Sequence, residues 1–151
     1  VRTFRSIEEL AACQGEPIGQ SDWVTITQDA VNLFADATGD HQWIHVDPER
    51  AAGGPFGTTI AHGYMTLAML PQLMHQMYRL EGVKLAINYG LNKVRFPAPV
   101  PVGSKVRAQT SVVEVTDAGG GAHQVTLSTT VSIEGGTKPA CVAESVVRYM
   151  L

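Results

Sequence analysis

Between His62 and about Arg79 the chain is apolar nearly all round, with Met65, Leu67, Ala68, Met69, Leu70, Leu73, Met74 and Met77 leaving almost no polar face. A surface helix keeps a polar back, so a segment without one has to be enclosed on most sides. The stretch contains Pro71 and Gln72 and is too short to span a bilayer, so no membrane insertion is expected and the enclosure must come from the protein itself. Proline inside a helix removes an amide and crowds the preceding turn, so Pro71 predicts a kink or an early end. Beyond Gly82 the sequence changes to strands, expected at Val83–Tyr89, Lys93–Phe96, Lys105–Val115, His123–Ile133 and Ala140–Tyr149, with Pro/Gly segments between them. Residues 118–122 and 134–137 have the glycines of hairpin turns, which makes the last three strands an antiparallel meander. One long buried helix followed by a sheet long enough to wrap it is an α+β architecture. No repeat or boundary interrupts it, and 151 residues at 44% hydrophobic and 17% charged composition suit a single domain over residues 1–151.

The first half reads as short helices. Ser6-x-x-Glu9 has capping-box spacing and predicts a helix over residues 6–12, ended by Gly15. Residues 21–27 alternate as a strand would, and Thr27 can cap a helix from about Gln28 to Ala37, with Gly39 at its left-handed terminus. Asp47-Pro48 has the cap and first-position proline of another short helix, residues 48–52.

The formal charge of −3 argues against nonspecific nucleic-acid binding. It is unevenly spread: residues 1–78 carry three basic and nine acidic groups, net −6, and residues 79–151 carry eight and five, net +3. The basic stretch from Arg79 to Arg107 could face a phosphorylated ligand or serve as solvated, edge-protecting strand surface. The N-terminal residues lack the apolar run of a signal peptide, and Cys13 and Cys141 stand in no metal or redox spacing, so a soluble cytoplasmic protein with buried thiols is expected.

Residues 38–48, Thr-Gly-Asp-His-Gln-Trp-Ile-His-Val-Asp-Pro, concentrate polar chemistry between two helices. Asp40 and His45 are five apart, an offset that neither a helix nor a strand brings together, so they converge only through a turn. Joined, a carboxylate and an imidazole around one water suit proton transfer near neutral pH. Asp40 could equally close an Asx turn, and His45 could be a satisfied core histidine. His41 is expected to face solvent. His41, His45 and Asp47 match no established metal signature, so no metal is expected. At the entry to the apolar segment, His62-Gly63 offers a free amide with no β-carbon in the way, either to polarise a carbonyl oxygen or simply to permit a tight turn.

These residues resemble the MaoC-like, or (R)-specific enoyl-CoA hydratase, family of hotdog-fold proteins, mycobacterial single-hotdog members in particular. The carriers are Phe34-Ala-Asp-Ala-Thr-Gly-Asp40-x-x-x-Ile44-His45-x-Asp47, then Ile60-Ala-His-Gly63, then Val94-Arg-Phe-Pro-Ala-Pro-Val100-x-x-Gly103. The resemblance implies a long central helix wrapped by a curved antiparallel sheet, and a homodimer. It implies hydration of a trans-2-enoyl-CoA to the (3R)-hydroxyacyl-CoA, or the reverse dehydration, in fatty-acid metabolism. Asp40 and His45 fall on the family's catalytic pair and Gly63 on its oxyanion glycine. Gln42, Trp43 and His62 become candidates for substrate contact, and Lys93 and Arg95 for CoA, which arrives with the substrate, so no separate cofactor is implied. Gln42 and Trp43 replace the family's usual Asn-Pro. A hotdog thioesterase and a noncatalytic acyl-CoA binder are the competing readings.

Overall fold

The three C-terminal strands form the meander that the glycine turns predict. In the computed structural model, which describes residues 1–151, β6 (Lys105–Gly119), β7 (Ala122–Ile133) and β8 (Cys141–Met150) pair antiparallel in that order. The β6–β7 turn runs through Gly119, Gly120 and Gly121, all at positive φ, a conformation that a side chain would strain. β8 also pairs with β5 (Leu85–Arg95), and β6 carries β2 (Pro17–Gln20) and the two-residue β3 (Val24–Thr25) on its other side, giving the order β2-β6-β7-β8-β5. The sequence suggested two strands where β5 is continuous. Irregular steps between Asn88 and Gly90 and between Leu91 and Lys93 absorb the residues that read as breaks.

Across this sheet lie α5 (Gly63–Ala68) and α6 (Leu70–His75). The expected single helix is therefore two short ones that meet at Met69, and Pro71 sits in the first turn of α6, where no intrahelical amide is required. The helical run ends at His75 because β1 (Arg2–Phe4) captures the next residues: Arg2 donates to the Met77 carbonyl at 2.9 Å and β4 (Tyr78–Leu80) pairs parallel with β1. Leu70 and Leu73 enter a core of 27 buried residues, from Phe4 to Tyr149, that includes Val106, Val112, Val125, Leu127 and Val131. No helix is long and apolar enough to cross a membrane.

The remaining helices form the rim that carries the polar loop. α1 (Ile7–Ala11) is capped by Ser6, which accepts from the Glu9 amide, while Glu9 reaches the Arg5 amide at 2.7 Å rather than closing the box on Ser6. The strand expected over residues 21–27 shrinks to β3 because side chains take the neighbouring backbone bonds: Ser21 Oγ accepts from the Ala108 amide, and Gln76 Oε1 accepts from that of Asp22. α2 (Gln28–Thr38) starts at Thr27, whose hydroxyl accepts from Ala30, and stops at Gly39 with φ 81°. α3 (Trp43–Val46) and α4 (Pro48–Ala52) come next along the chain, the latter capped by Asp47.

Candidate active site

Gly39 turns the chain out of α2 in a left-handed conformation, and Asp40 emerges exposed at the start of the loop. One of its carboxylate oxygens accepts from the Gln42 amide at 3.3 Å, which closes a local turn. Gln42 then precedes α3, and a single helical turn carries the chain inward so that His45 is buried, with 7% of its surface exposed. This turn is what the five-residue spacing needed. A carboxylate oxygen of Asp40 and one ring nitrogen each from His45 and His62 lie within 4.8 Å of one another.

The partners of each ring fix its tautomer. His45 Nδ1 is 2.7 Å from the Ile60 carbonyl, which can only accept, so Nδ1 carries the proton and Nε2 is left for chemistry. His62 is 3% exposed; its Nε2 donates to the Asp40 backbone carbonyl at 2.9 Å, and its Nδ1 is buried without a partner. The two rings stack at 3.8 Å and 22°, and Phe34 packs on His62 at 4.9 Å. Nearly parallel rings aim their in-plane lone pairs side by side instead of at one point, so this trio does not fit a metal ion that needs both nitrogens at about 2.1 Å.

Gln28, which sequence reasoning did not single out, ties the region together. Its Nε2 donates to the His45 carbonyl at 2.7 Å and to Asn32 at 3.0 Å, while its Oε1 accepts from the Thr59 hydroxyl at 2.6 Å. Nothing in the sequence marks a glutamine at a helix start as the clamp for a loop seventeen residues on.

Gly63 opens α5 immediately after His62, so its amide has no intrahelical acceptor. A β-carbon there would meet the Phe96 ring at 3.0 Å, so glycine lets the ring lie this close without being pushed aside. Because Phe96 directly follows Arg95, the cationic end of β5 is brought beside the helix start. Lys93 and Arg95 themselves are exposed, and Arg95 donates to the Val94 carbonyl at 2.7 Å. A cleft of about 840 Å³ begins one turn past Gly63 at Leu67 and continues past Leu70, Pro71 and Met74, with β5 and β8 opposite.

Trp43 and His62, two of the residues expected to contact substrate, make close contacts within the chain. Trp43 lies beneath the Arg50 guanidinium, 4.4 Å from it, and against Gly54, where a β-carbon would meet the indole at 2.9 Å; its ring braces α3 on α4. His62 is turned onto the Asp40 backbone. Gln42 is exposed beside Asp40 and makes no side-chain cap bond. His41 faces solvent in an ion pair with Asp36 at 2.9 Å, a hydrogen bond that raises its pKa from the ordinary histidine value.

A helix pair packed across an antiparallel sheet of this order, with an Asp/His loop at the helix entry, is a hotdog fold. The chain belongs to the MaoC-like domain family, whose model matches residues 9–134. It is 75% identical over 150 residues, 99% of either chain, to a 3-hydroxyacyl-thioester dehydratase Z of Mycobacterium tuberculosis (strain CDC 1551 / Oshkosh). Among solved structures it is similar to a monoamine oxidase regulatory protein from Archaeoglobus fulgius, with a TM-score of 0.78 at 28% identity over 98% of this chain and 95% of that one. It is also similar to an (R)-hydratase from A. caviae involved in PHA biosynthesis, with a TM-score of 0.69 at 28% identity over 89% and 97%.

Proposed function

We propose that this chain hydrates trans-2-enoyl-CoA to (3R)-hydroxyacyl-CoA, or runs the reverse dehydration, with Asp40 and His45 as its acid/base pair. The observation that carries the reading is the convergence of the Asp40 carboxylate with a histidine whose Nδ1 is already committed to a carbonyl. Such a pair can hold one water between a carboxylate and His45 Nε2. As the hydroxyl adds to C3 the proton it sheds passes to the pair, and the pair delivers a proton to C2, so the sum is one water added. Between those two proton transfers enolate charge builds on the thioester oxygen, and the Gly63 amide is the preorganised donor for it.

The cleft beyond Leu67 suits the acyl chain, and the basic end of β5, with Lys93 and Arg95, suits the CoA phosphates; Gln42 stands where it can adjust the water or the thioester. Acid, base and donor all belong to the chain, so the reaction calls for no resident cofactor. Buried, unpaired Cys13 and Cys141 suit a reducing cytoplasm. Loss of enoyl-thioester absorbance from crotonoyl-CoA without release of free thiol is the expected result. Thiol release would instead establish a thioesterase, and binding without either change a noncatalytic acyl-CoA protein.

A further inference from the structure

His62 is buried outside the lining of the cleft, and its side chain contacts both residues assigned to chemistry, with Phe34 as a further neighbour. Its Nε2–H holds the Asp40 carbonyl at 2.9 Å, and its ring lies flat on that of His45 at 3.8 Å with Phe34 packed nearby. It occupies the residue before α5 yet makes no capping bond, so its side chain does not serve the helix. A buried Nδ1 with no partner is costly, and a side chain chosen for stability alone would avoid it. Apart from this contact the Asp40 loop is held by its own short turn to Gln42 and by the exposed His41–Asp36 pair, and the carboxylate is exposed.

We propose, building on the hydratase reading, that His62 is a positioning residue: it fixes Asp40 through the backbone and His45 through its ring face, and contacts no substrate. Reacting groups displaced by about an ångström lose on the order of 100-fold in rate, so two modest contacts at this point control turnover. Each of two substitutions removes one of these contacts. His62→Phe keeps an aromatic face for His45 but has no donor for Asp40; His62→Gln can still place an amide donor near the Asp40 carbonyl but loses the ring.

With crotonoyl-CoA, both variants are expected to lower kcat about 10- to 100-fold while KM stays within about threefold, and the pH profile of kcat/KM should keep both limbs because the groups exchanging protons are unchanged. A rise in KM at unchanged kcat would make His62 a substrate contact, loss of one limb would make it a proton-transfer group, and unchanged kcat with only a lower Tm would make it a packing residue. Each of these results overturns the proposal. An arm independent of activity uses nitrogen-15 histidine NMR of the parent chain. His62 must show the Nε2–H tautomer and His45 the Nδ1–H tautomer, and the Asp40 carbonyl carbon resonance must move in His62→Phe more than in His62→Gln. The opposite tautomers, or an unmoved Asp40, refute the positioning role even if the parent fails to hydrate crotonoyl-CoA, a failure that would count against the hydratase reading alone.

Discussion

At the scale of single residues, the site depends on which nitrogen of each histidine is already engaged. A backbone carbonyl fixes His45 at Nδ1 and another fixes His62 at Nε2, so two neighbouring imidazoles expose different atoms. Trp43 shows the opposite situation, a residue beside the pair in sequence whose ring serves packing. Removing that ring takes away the Arg50 contact and leaves space against Gly54. Trp43→Ala is therefore expected to lower unfolding free energy by about 1–3 kcal/mol in urea titrations and to leave kcat within about threefold. A large loss of turnover at unchanged stability would return Trp43 to the ligand.

The sequence made the Asp40/His45 convergence plausible because Gly39 supplied a turn and α2 a defined end. It did not disclose α3, because four residues of helix carry no periodicity to read. Nor could it assign Gln28 or the His62 tether, since both depend on contacts between segments 17 to 31 residues apart.

At the scale of elements, periodicity and turn chemistry located α2, α4 and the β6–β7–β8 meander, because each is a local signal. The division of the buried helix at Met69, the parallel β1–β4 pair and the continuity of β5 escaped it; all three are decided by what the neighbouring chain offers. The sheet also contains a buried polar link: Thr110 and Thr129 face each other on β6 and β7 and their hydroxyls bond at 2.8 Å. Thr110→Val should leave the Thr129 hydroxyl unpaired and cost about 1–3 kcal/mol, whereas the double Thr110→Val/Thr129→Val variant removes both polar groups and should lie closer to the parent. Strictly additive losses in the double-mutant cycle would show that the hydroxyl bond carries no coupling.

At the scale of the whole molecule, β5 is the exposed feature. It pairs on one side only, and Leu85, Ile87, Tyr89 and Leu91 all stand at least 47% exposed along it. An unpaired apolar edge of that length invites edge-to-edge pairing, which supports the homodimer that the family resemblance implies. Sedimentation should give about twice the 16.2 kDa chain mass, and a monomer at micromolar concentration would contradict it. Alkaline stability is a second property of the assembled core. Burial pushes Cys141 from 9.0 up to about 11 and raises Tyr78 and Tyr149 as well. The folded state therefore keeps protons that the unfolded chain gives up, so this contribution is complete below about pH 9 and is lost as pH rises toward 11. Tm should hold steady to about pH 8.5 and fall across that window; a flat Tm through about pH 10.5 would contradict the burial of these groups.

The central claim is that Asp40 and His45 together carry proton transfer for the addition of water, and the turnover of their isosteric variants tests it most directly. Crotonoyl-CoA hydration by Asp40→Asn and by His45→Gln, each at parental Tm, should show kcat reduced by at least ~100-fold. Turnover within a few-fold of the parent in either variant would contradict the account.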